Sequence, residues 1–154
     1  MNQTVVSIVS ARLKREEGRR PRAYNDATGV TVTCKPGGNL SIGYGINLEN
    51  GLDESEMQFL LRRRIELADA ALIMEAPWYE ALSVADPLKA SVYLDVAYNA
   101  GVAGLLHGFP KCVKYASLKD WTNSAAELRV ADASLDHSRY EPLRKILLLG
   151  TPAL

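Results

Sequence analysis

Val5, Val6, Ile8, Val9 and Leu13 recur at helical spacing, Thr4 stands ahead of them as a cap, and Gly18 stands where a helix would stop. They predict a first helix of about 14 residues. Between Tyr24 and Leu48 the period shortens: "VTVTC" and "LSIGYGINL" are β-branched or alternating, and "KPGGN" between them holds turn residues. This part predicts a hairpin or a three-stranded sheet. The helical period returns after "ENGLD", where Asp53 and Glu56 form a capping-box pair ahead of Met57, Leu60, Leu61, Ile65 and Ala68. That helix is expected to run to about Met74, with Pro77 ending it. Asp86 and Pro87 then open "DPLKASVYLDVAYNAG", whose Val92, Leu94, Val96 and Ala97 leave few polar faces and predict a buried central helix. Shorter amphipathic segments follow near Pro110 to Ala116, Leu118 to Val130 and His137 to Leu149, with Gly150 closing the last.

A helix, a small sheet and then a run of helices predict an α+β chain with segregated elements. A long helix leaving the sheet for a helical bundle would make two lobes with a cleft between them, the usual place for a ligand. The expected division of one domain is a first helix over 1–18, a β lobe over 19–52, and a connecting helix with the helical lobe over 53–154.

Composition narrows the function classes. The chain has 154 residues, 47% hydrophobic and 23% charged, an ordinary globular mixture. Lysine plus arginine and aspartate plus glutamate number 18 each, so no overall positive field gathers nucleic acid or anionic lipid. Arg62, Arg63 and Arg64 splay over most of a helical turn and read as a solvated face. Cys34 and Cys112 lack the paired spacing of a zinc or redox motif and read as free thiols, and His107 and His137 have no partner at ligand spacing, so no metal is expected. The N-terminus has no apolar run longer than two residues, so a cytoplasmic origin without membrane insertion is expected. Trp78 and Trp121 are expected as core anchors rather than sugar platforms.

Candidate chemistry gathers at "REEGRRPRAYNDATG". Glycoside hydrolysis needs a carboxylic acid to protonate the leaving oxygen and a second carboxylate to direct water or balance the cationic sugar. Glu16 and Glu17 both sit at the edges of the first apolar stripe, where shielding would raise a carboxyl pKa, and the helical wheel does not choose between them. Solvated ion pairs with Arg15, Arg19, Arg20 and Arg22 are the plain alternative. Asp26 in "YNDATG" has ordinary turn chemistry, and Ser41 reads equally as an exposed strand hydroxyl.

Taken together, Glu-Gly, Tyr-x-Asp-x-x-Gly and "SIGYGINL" resemble the phage-type lysozymes, the endolysin muramidases of glycoside hydrolase family 24. The likeness continues through "NGLDESEMQFLLRRRIELADAAL", "YLDVAYNAGVAGLLHGFPKCV" and "DHSRYEPLRKILLLG", and so runs in order along nearly the whole chain. It implies a lysozyme-like α+β fold with Glu17, Asp26 and Ser41 as the catalytic set. Glu17 would be the general acid and Arg139, 11 residues before Gly150, its supporting cation. Asn99 and Tyr44 match substrate-binding positions. Ser41 replaces the usual threonine, Ile46 replaces a histidine found in some members, and the "VTVTCKPGGN" interval is longer than in the shortest members. The implied activity is hydrolysis of the β-1,4 bond between N-acetylmuramic acid and N-acetylglucosamine in peptidoglycan, by a monomer without metal or organic cofactor. Such an enzyme would wait in the host cytoplasm for a membrane-permeabilising holin, a functional partner, before reaching the periplasm and wall. A catalytically silent peptidoglycan-binding domain is the alternative, and a nucleic-acid-binding helical protein a more distant one.

Overall fold

A computed structural model of the chain describes residues 2–24, 28, 30–31, 41–42, 46–47, 50–130 and 140–150. Eight helices dominate it: α1 (Gln3–Glu17), α2 (Glu54–Glu75), α3 (Pro77–Ala85), α4 (Pro87–Ala100), α5 (Val102–Gly108), α6 (Pro110–Ser117), α7 (Trp121–Val130) and α8 (Tyr140–Leu149). The α+β expectation is therefore corrected: the described residues make an all-α protein of eight helices. Among the described residues, extended pairing is confined to β1 (Ser41–Ile42), β2 (Ile46–Asn47) and one bridge between Tyr24 and Thr31. No sheet lobe stands opposite a helical lobe in this description. The run "LSIGYGINL", read as a single strand, folds back on itself, with Ser41 opposite Asn47 and Ile42 opposite Ile46.

The helix ends follow local chemistry. Asn2, rather than Thr4, caps α1, its side chain accepting from the Thr4 amide, because a short side-chain oxygen two residues earlier reaches an otherwise unpaired N–H. Asp53 and Glu56 complete the capping box of α2 reciprocally, at 2.9 and 2.8 Å. Asp86 accepts from the Lys89 amide at the start of α4, with Pro87 at its first position. Pro77 does the same at α3: it not only ends α2 but starts a further helix.

Helix α4 is central, packing against α1, α2, α3, α5 and α8, while α7 packs against both α6 and α8. Its residues 91–97 are all buried. Leu94 and Tyr93 meet Leu13 and Val9 of α1, Ile65 and Leu72 of α2, and Tyr79 of α3 in one continuous core. Each fully buried leucine or isoleucine contributes about 1.5–3 kcal/mol through the apolar surface it removes from water. Trp78 and Trp121 pack against this core. Trp78 stands edge-on to Tyr79 and Tyr93 at 6.2 and 5.0 Å, an arrangement favoured by the ring quadrupoles.

The candidate cleft at the end of the first helix

The first helix places its last residue, Glu17, directly before Gly18, whose φ of 69° and ψ of −179° suit a residue without a Cβ. The chain turns away here rather than extending the helix. A second glycine stands where the chain approaches α2: Gly51 has φ +75°, and a Cβ on it would lie 2.6 Å from the Pro21 carbonyl oxygen. That close approach lets the Leu52 amide donate to the same oxygen at 2.7 Å. The segment leaving α1 is thereby tied to the segment entering α2.

Beside Gly18, lined by the end of α1, the start of α2 and Tyr98 of α4, lies a cavity of about 660 Å³, within the size range of small-ligand sites. Leu13, Met57, Leu61 and Tyr98, buried or half-buried, give it an apolar side. Lys14, Arg19, Arg20, Arg64 and Glu54, all exposed, give it a charged one. Arg19 donates to Glu54 at 3.0 Å. The Glu54 carboxyl is held below its usual pKa by a hydrogen bond from Gln58, then by Arg19 and the field of Lys14. Arg20 lies over the Tyr24 ring, 5.1 Å from its centroid.

Behind the cavity, α1 and α4 are joined by a buried ion pair that the sequence reading missed. The Arg12 guanidinium, 4% exposed, donates to Asp95 Oδ2 at 3.1 Å, with Asp95 1% exposed. Its second nitrogen donates to the Ser91 hydroxyl at 2.9 Å. The Asn99 Nδ2 group donates to the Asp95 carbonyl at 2.9 Å and to Asp95 Oδ1 at 3.2 Å. Both partners only accept, so the amide must turn its NH2 inward and leave its carbonyl oxygen as the outward acceptor. The signal was present: Ser91, Asp95 and Asn99 repeat every fourth residue on an otherwise apolar helix.

The expected site residues are placed as follows. Glu17 closes α1, though its side chain is outside what the structure describes, and Glu16 is exposed. Ser41 lies in β1, its side chain likewise outside the description. Asp26, Tyr44, Arg139, Cys34 and His137 lie outside the described residues. Asn99 is exposed at the last turn of α4, next to the cavity-lining Tyr98. Glu17 and Asn99 are thus both on elements that reach the cavity, through their neighbours Gly18 and Tyr98.

No family model, curated protein or solved structure matches the chain.

Other buried polar groups serve packing. The Tyr79 hydroxyl donates to Asp69 Oδ1 at 2.7 Å, and burial, then the neighbouring carboxylate, pushes its pKa far above the ordinary tyrosine value. Ser124 links the Tyr93 hydroxyl at 2.8 Å to Cys112. Burial pushes the Cys112 thiol up to about 11, which keeps it protonated and unreactive near neutral pH. His107 is exposed, and no cluster of three or more His, Cys, Asp or Glu able to hold a metal occurs among the described residues. No helix among them is long and apolar enough to cross a membrane.

Proposed function

We propose that the chain is a peptidoglycan hydrolase of the lysozyme type, cutting the β-1,4 bond between N-acetylmuramic acid and N-acetylglucosamine. The observation that carries this reading is the cavity of about 660 Å³ adjoining Gly18, the residue after Glu17. A general acid at a helix end, beside a cavity with an apolar side, has the setting in which a carboxyl can be kept protonated for leaving-group protonation. The reading leans on this placement and on the ordered Glu17, Asp26 and Ser41 likeness, not on the architecture, which differs from the one expected.

In the proposed reaction Glu17 protonates the leaving glycosidic oxygen, with Arg139 as its supporting cation. Asp26 and Ser41 orient the attacking water, or Asp26 balances the oxocarbenium-like transition state. Asn99 offers its carbonyl oxygen to an acetamido N–H or a hydroxyl, and Tyr44 contributes to substrate binding. No metal or organic cofactor enters the scheme. In a phage setting the enzyme would collect in the host cytoplasm, as a monomer, until a holin admits it to the wall.

The test is turbidity loss of outer-membrane-permeabilised Gram-negative cells with the wild type and Glu17→Gln. General acid catalysis contributes roughly 10²–10⁴-fold, and the variant is expected to lose about that much. Equal clearing by both proteins sinks the assignment of Glu17. Binding to purified peptidoglycan without release of reducing ends, by the wild type itself, would favour the silent wall-binding domain.

A further inference from the structure

The cleft beside Gly18 carries more positive charge than the activity proposed above requires. Lys14, Arg19, Arg20 and Arg64 line it against one carboxylate, Glu54, in a chain whose overall charge is zero. Arg19 is engaged with that carboxylate. Among the described residues neither Lys14 nor Arg64 forms an ion pair, and Arg20 rests on an aromatic ring rather than on an acid. Elsewhere on the helices four cations are paired within the fold, Arg12 with Asp95, Arg62 with Glu66, Lys89 with Asp86 and Arg144 with Glu141. In the cavity beside Gly18 four cations thus face one carboxylate.

We propose that this cleft is an anion-reading subsite for carboxylates borne on the glycan, the muramyl stem-peptide carboxylates, with Arg20 and Arg64 as the main contacts and Lys14 in support. The proposal rests on the reading of the chain as a peptidoglycan hydrolase. Guanidinium groups match a carboxylate with two parallel donors, and an ammonium adds a point charge. The apolar side formed by Leu13, Met57 and Leu61, with the ring of Tyr98, suits a ligand whose charges are separated by apolar and sugar surface. A bare phosphate or a nucleic-acid backbone would not use that side.

The experiment titrates the full chain with soluble N-acetylglucosaminyl-N-acetylmuramyl-tetrapeptide, which lacks the bond the proposed reaction cuts. The same compound with its carboxylates converted to carboxamides, and a single-stranded oligonucleotide, are run beside it. Arg20→Gln and Arg64→Gln are exposed substitutions whose folding is checked by melting. The anionic muropeptide is expected to bind best, weaken with salt, and weaken roughly fivefold with each substitution, as one partly solvated ion pair is worth. Equal binding of the carboxamide, absence of muropeptide binding, unchanged affinity in both variants, or tighter binding of the oligonucleotide overturns the proposal. Hydrolysis of cell walls is measured separately. A wild type that cuts walls but binds both muropeptides alike loses the anion subsite and keeps the hydrolase reading; charge-selective binding without hydrolysis does the reverse.

Discussion

The interior around α4 and the cleft at the end of α1 share a boundary, Arg12 facing one side and Lys14 the other, yet they handle charge in opposite ways. In the interior a cation is admitted only with its partners: Arg12 meets Asp95 and Ser91, and Asp95 in turn holds Asn99. Taking two ions out of water costs several kcal/mol each, so such a pair persists only when geometry and further hydrogen bonds offset the cost. In the cleft three cations stand without a carboxylate partner among the described residues, next to solvent, where leaving them so costs little. The interior uses charge to fix how two helices meet. The cleft keeps charge in reserve, which is what a binding surface requires.

The largest expected effect comes from breaking the interior side. Asp95→Ala leaves the Arg12 guanidinium buried without its counterion and should cost about 3–5 kcal/mol, read as a shift in the denaturant midpoint. Arg64→Gln in the cleft should leave that midpoint within about 0.5 kcal/mol. If the two substitutions cost the same, the contrast between the regions is wrong. Gly51→Ala comes next, because it forces a positive φ on alanine and drives its Cβ toward the Pro21 carbonyl at 2.6 Å. We expect a loss of about 1–3 kcal/mol; a melting temperature equal to wild type would show that the 50–52 segment does not depend on this approach.

The smallest effect is electrostatic. Burial raises the Asp86 pKa, but hydrogen bonds from the Lys89 side chain and amide outweigh it and hold the group below its usual 3.8. A folded-state pKa below the unfolded one adds stability that is fully present above pH 3.8 and is lost as pH falls through the folded value. The ion pair is partly solvated, so the amount is at most about 1 kcal/mol. Asp86→Asn keeps an oxygen for the cap and removes the charge. Its stability deficit should be visible at pH 6 and shrink towards pH 2–3, a trend that chemical denaturation at the two pH values can read.

The helices were legible where their ends carry side-chain chemistry: Asp53 with Glu56, Asp86 with Pro87, and Gly18 and Gly150 at φ 69° and 65°. Two helices escaped. Pro77 was read only as a stop, although proline at a first helical position is also a start, and the glycines of "GVAGLLHG" hid the seven-residue α5. The sheet was over-read: alternation and β-branching satisfy a strand template, but among the described residues pairing goes no further than Ser41–Ile42 with Ile46–Asn47 and the Tyr24–Thr31 bridge. At the site, the residue pattern pointed to the end of the first helix, where a cavity does open. Neither the Arg12–Asp95 pair nor the cation lining could be read from it, because spacing along one helix tells which residues share a face but not which neighbour that face meets.

The central claim is that this chain hydrolyses the glycan at a site served by Glu17. Peptidoglycan digested in heavy-oxygen water and analysed by mass spectrometry tests it in one measurement. The account predicts fragments ending in reducing N-acetylmuramic acid that carry one heavy oxygen, formed by the wild type and almost absent with Glu17→Gln. Unlabelled anhydro ends, new ends at N-acetylglucosamine, or equal labelled product from both proteins would contradict it.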